Sequence, residues 1–99
     1  MTISMPPIKV YLMTFVVPRE PVLEVLDSRR EVLNWFAVFS NVVLLASRSD
    51  LTALTGILQV SLPGLWFVLA EVDSTRVNGW MNREVWDFIN TPKSSGRWE

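Results

Sequence analysis

Glu71 and Asp73 stand two residues apart at the end of an apolar run that starts at Leu65. On an extended strand this spacing sends both carboxylates out from one face, where they could share a divalent cation. A carboxylate pair is equally the mark of a solvated strand end, and the basic residues Arg48 and Arg76 are expected nearby. The favoured reading is a charged edge cluster of Arg48, Asp50, Asp73 and Arg76. Glu71 and Asp73 stay as weak metal candidates, and no catalytic residue or cofactor is assigned.

The remaining chemistry is bounded by absences. The chain has no Cys and no His. That removes disulfides, thiolate nucleophiles and zinc–thiolate sites. It also removes the usual general base at neutral pH and the commonest transition-metal ligand. Any catalysis would rest on carboxylates, Arg, Lys9, Tyr11 or hydroxyls. Ser28, Ser40, Ser47 and Ser49 lack an imidazole partner, so a Ser triad in its usual form is excluded. Arg19-Glu20 and Arg29-Arg30-Glu31 interleave bases with acids, which suits a solvated helix face better than a phosphate site.

Five tryptophans (Trp35, Trp66, Trp80, Trp86 and Trp98) could stack on nucleic-acid bases. Phosphate binding usually needs a basic stripe, however, and nine basic residues are interspersed with ten acidic ones for a net charge of −1. Packing in a core or an interface is the expected role of these rings, and nucleic acid is not an expected partner.

Ninety-nine residues, 49% hydrophobic and 19% charged, suit one domain with one core. The domain is expected over residues 1–92, with a loose polar tail over 93–99 whose Trp98 can dock. The apolar run Ile8–Val17 is too short for a bilayer and contains Lys9. With no signal-peptide pattern at the N-terminus, a cytoplasmic protein without a membrane partner is expected.

The elements that must position these residues follow from periodicity. Ile8–Val17 predicts a strand bounded by Pro7 and Pro18. Ile8, Val10, Leu12, Thr14 and Val16 form one face, and Lys9, Tyr11, Met13, Phe15 and Val17 the other. Both are mostly apolar, so both need cover. An amphipathic helix follows over Glu20–Leu33, with Pro21 in its first turn. Leu33–Ser47 reads as a hairpin, Asn34–Phe39 and Val42–Ser47, turning at Ser40-Asn41, since Asn tolerates the positive φ of a two-residue turn. The alternative runs the helix on to Phe36 and leaves a single strand, Val42–Ser47; the hairpin is favoured.

Ser49 is the expected cap of a second helix ending near Val60, with Asp50 on its dipole. Leu51, Leu54, Ile57 and Leu58 form its buried stripe. Gly56 within it either lets the helix approach the sheet or costs stability. Pro63-Gly64 marks a turn, followed by a strand over Leu65–Asp73 and a polar connection to Gly79, itself a turn residue needing positive φ. Asn82 caps a last helix, Arg83–Asn90, with Met81 and Trp86 at the spacing of a hydrophobic staple.

This order predicts an α+β fold, a ferredoxin-like split βαββαβ sandwich with an additional short C-terminal helix. Right-handed crossovers set the first and fourth strands side by side and both long helices on one face. The other face would expose a large apolar patch. The C-terminal helix, a second copy of the chain, or both must cover it. The expected interface residues are Tyr11, Met13, Phe15, Phe67, Trp80, Trp86 and Phe88.

The element order, the length and the hydrophobic fourth strand before a Trp-containing C-terminal segment resemble the small ferredoxin-like proteins of the Cas2 and virulence-associated protein D kind. The resemblance spans Lys9 to Phe88. It implies a dimeric scaffold. Cas2-type nucleases carry an acidic residue at the end of the first strand, where this chain reads Val16-Val17-Pro18-Arg19. What carries over is therefore the scaffold and not the nuclease centre. The expectation is a homodimeric interaction or regulatory module without catalytic activity; the alternatives are a Cas2-like nucleic-acid protein and a small-ligand sensor.

Overall fold

The computed structural model describes residues 5–16 and 18–97; Val17 and Trp98 lie outside them. The elements run β1 (Lys9–Phe15), α1 (Arg19–Ser28), β2 (Asn34–Phe39), β3 (Val42–Ser47), α2 (Leu51–Ser61), β4 (Phe67–Val72) and α3 (Arg83–Asn90). The four strands form one antiparallel sheet in the order β2-β3-β1-β4. The most apolar strand is central, and the first and fourth strands are neighbours.

Alternation along β1 divides the core in two. Tyr11, Met13 and Phe15 join Val43 and Leu45 of β3 under Val22 and Leu26 of α1 and Leu54 and Leu58 of α2. Removing each such large side chain from water contributes roughly 1.5–3 kcal/mol. On the opposite face Val10, Leu44 and Ala46 pack against Val85, Phe88 and Ile89 of α3. The Phe36 and Phe88 rings meet there with centroids 6.1 Å apart, tilted by 57°. The sheet is thus covered by two helices on one side and by a single short helix on the other.

Local chemistry departs from expectation at three places. First, α1 stops at Ser28, and Arg29 is extended (φ −101°, ψ 128°). Val32 leaves the helix to become fully buried in the core beneath α1. Second, the Ser40-Asn41 turn uses no positive φ, since no non-glycine residue adopts one among the described residues. The register slips between Ala37 and Phe39 instead, an extra residue that accommodates the reversal. Third, Asp50 rather than Ser49 caps α2, its carboxylate accepting from the Ala53 amide at 2.7 Å.

The tail makes contacts of its own. Ser95 N–H donates to the Leu33 carbonyl at 2.8 Å. The Arg97 guanidinium donates to the carbonyls of Val32 at 2.7 Å and Leu26 at 3.3 Å, and lies 3.5 Å from Asp27. These tail contacts cap the last turn of α1, whose carbonyls have no partner within the helix.

Candidate functional site

The two ends of the sheet differ in chemistry. Because β3 and β4 both run antiparallel to β1, their C-terminal ends flank its start. Lys9, Glu71, Asp73, Arg48 and Asp50 gather at this polar end. Each charge there is engaged locally. Lys9 Nζ sits 4.0 Å from Glu71 Oε1, a half-exposed pair of a kind worth about 0–1 kcal/mol. Arg48 donates to the Pro6 carbonyl at 2.8 Å, and Asp50 is spent on the α2 cap.

Asp73 Oδ1 accepts from the Thr75 hydroxyl at 2.7 Å and the Thr75 amide at 2.9 Å. These bonds hold its carboxyl below the ordinary value of 3.8. The Arg76 amide closes the same turn on the Asp73 carbonyl at 2.9 Å. No ion pair joins Arg48, Asp50, Asp73 and Arg76 among the described residues. The carboxylates of Glu71 and Asp73 each have a different partner, Lys9 for one and Thr75 for the other. The described residues hold no group of three His, Cys, Asp or Glu arranged to bind a metal.

Tyr11 is the buried polar group at this end. Its hydroxyl donates to the Ser49 carbonyl at 2.6 Å. Burial, helped by the charges of Glu71 and Asp50, raises its pKa above the ordinary 10.0. Ser47, also buried, accepts from the Ser49 amide at 3.0 Å. Both bonds hold the β3–α2 connection in place.

The opposite end is apolar and bare. The row Phe39–Val42–Thr14–Val68 crosses the sheet on the α3 side but beyond the residues α3 covers. Val16 is 78% exposed, Trp66 82%, Val68 62% and Phe39 55%. Trp66, Val68, Thr14 and Val16 line a shallow hollow of about 260 Å³ with Asn41, Phe15 and Phe67. A neighbouring hollow of about 710 Å³ is lined by Phe15, Val16, Pro18, Arg19, Glu20, Ser40 and Asn41. Among the described residues its ionisable lining groups are Arg19 and Glu20.

Among known proteins the chain matches no family model, no curated protein and no solved structure. The site must be read from its own residues.

The expected interface residues separate into three groups. Tyr11, Met13 and Phe15 are buried beneath α1 and α2, and Phe67 is half-buried against the same cluster. They serve the interior, because the two long helices took the Tyr11 face of β1 and not the Val10 face. Phe88 and Trp86 belong to α3 and pack on the sheet. Of the seven, Trp80 alone stands free, 98% exposed. The bare residues Val16, Phe39, Trp66 and Val68 were absent from the expected set. Their signal is the alternation Trp66, Val68, Ala70, Val72, which becomes a surface once β4 is in register with β1.

Proposed function

We propose that this chain is a non-catalytic interaction module that works as a homodimer, joined through its bare apolar end. One observation carries the reading: Val16, Phe39, Trp66 and Val68 are 55–82% exposed on one contiguous end of the sheet. Monomeric proteins rarely leave a sizeable apolar patch in water, and patches of this kind mark interaction sites. The strand order, the β1–β4 neighbours and the two helices on one face support a ferredoxin-like description of the sandwich. No helix among the described residues is long and apolar enough to cross a membrane.

Sedimentation velocity over a wide dilution range tests this. A species of twice 11.3 kDa is expected at the upper concentrations, dissociating on dilution. A single 11.3 kDa species at every concentration overturns the dimer.

A further inference from the structure

The two edges of the sheet are not equally protected. The β2 edge has a slipped register between Ala37 and Phe39, and the tail is tied to the chain just before it by Ser95 and Arg97. The β4 edge has none of these devices. Its six residues, Phe67–Val72, pair with β1 without a break and include no Pro, no Gly and a single charge, Glu71. An unbroken, mostly apolar edge of this kind is a template for strand pairing, which proteins normally blunt with charge, bulges or cover.

We infer that β4 pairs antiparallel with β4 of a second copy, joining two sheets into one of eight strands. The inference rests on the dimeric reading above and specifies how the two copies meet. Closure favours a second copy over a strand from another protein. An added foreign strand carries a new open edge of its own. Two-fold pairing removes both β4 edges at once and leaves the two guarded β2 edges outermost.

Side-chain register agrees. About a two-fold axis at Leu69, Val68 faces Ala70 of the second copy and Trp66 faces its Val72, all on the α3 side of the sheet. Glu71 then faces Phe67 of the second copy and not its own counterpart, so like charges are kept apart. Trp66 of each copy lands at the flank of α3 in the other, at a cleft lined by Val72, Ile89 and Asn90 together with the charged Lys9, Glu71 and Asp73. The β4 side of the bare end of one chain, Trp66 and Val68, is thereby set against the covered end of the other, while Phe39 lies outside the seam. The area is sufficient as well. Trp66 brings on the order of 200 Å², and with Val68, Ala70 and the edge backbone each copy brings roughly 500 Å², reaching the ~1,000 Å² total a specific interface needs.

The test is amide exchange of the whole chain in dilute and concentrated solution, alongside sedimentation of Trp66→Ala and Phe39→Ser. Both residues are exposed, so both variants should fold. Amides of β4 are expected to slow by at least about tenfold on association while those of β2 do not change. Trp66→Ala should weaken association at least about tenfold, and Phe39→Ser, on the far strand, should leave it unchanged. A dimer whose β4 amides exchange as in the monomer, and which Phe39→Ser disrupts, overturns the edge pairing but keeps the dimer. A monomer at all concentrations overturns both. Growth beyond two copies overturns the closure.

Discussion

Tyr11 is the only tyrosine in the chain, so its ionisation can be followed alone. Its hydroxyl donates to the Ser49 carbonyl within a buried site, and the neutral phenol is the form that the site favours. Above the ordinary value of 10.0 the unfolded chain releases a proton that the folded chain still holds, and stability falls as pH rises. Below that pH the contribution of Tyr11 is fully present. Tyrosinate absorbance should therefore rise later in the folded protein than in denaturant. Tyr11→Phe should remove this part of the alkaline destabilisation. It should also cost about 1–3 kcal/mol at neutral pH, because the Ser49 carbonyl is left without that partner. A titration of the folded protein that overlays the denatured one would show the hydroxyl open to solvent.

At the level of elements, what local residues decide was legible beforehand. Arg83–Asn90 was bounded by its Asn82 cap and by Pro92, and the hairpin strands lay between polar residues; both appear as expected. The end of α1 was not legible. Val32 and Leu33 continue the helical spacing of Val22, Leu26 and Arg29, and no Gly or Pro interrupts it. The chain turns there with a partner 71 residues away, when Arg97 takes the Leu26 carbonyl, a contact no local window contains. The bare surface was hidden for a related reason. Alternation shows which residues share a face, yet both faces of β1 are apolar, so composition does not say which one the long helices take.

Gly56 gives a prediction at this scale. It lies in the middle of α2, and a Cβ added there would meet nothing within 4 Å. Close approach of helix and sheet is therefore not its role. Gly56→Ala should raise stability by roughly 0.5–1 kcal/mol through reduced backbone freedom in the unfolded chain. Denaturant midpoints at unchanged slope measure this, and a destabilised variant would show that the site is tighter than its geometry.

For the whole molecule, the two layers flanking the sheet should differ in how easily they open. The lower layer holds two helices, of 10 and 11 residues, over the Tyr11 face. The upper one is α3 alone, 8 residues with three buried side chains. A helix that short is marginal without its packing. It is joined to β4 by an exposed connection over 73–80, and on its other side the tail is held to Leu33, Val32 and Leu26 by Ser95 and Arg97, so its opening strains few contacts beyond its own packing and that tail. Local opening free energies track buried apolar contact. The amides of α3 should thus exchange through an opening with little denaturant dependence, while those of β1 and β3 exchange only on global unfolding. If the dimer forms along β4, Trp66 of the second copy flanks α3 and that opening should become rarer with concentration. Native-state exchange measured at two protein concentrations reads both effects. Protection of α3 equal to that of β1 in the monomer would mean that the chain unfolds as one unit and that both layers are equally fixed.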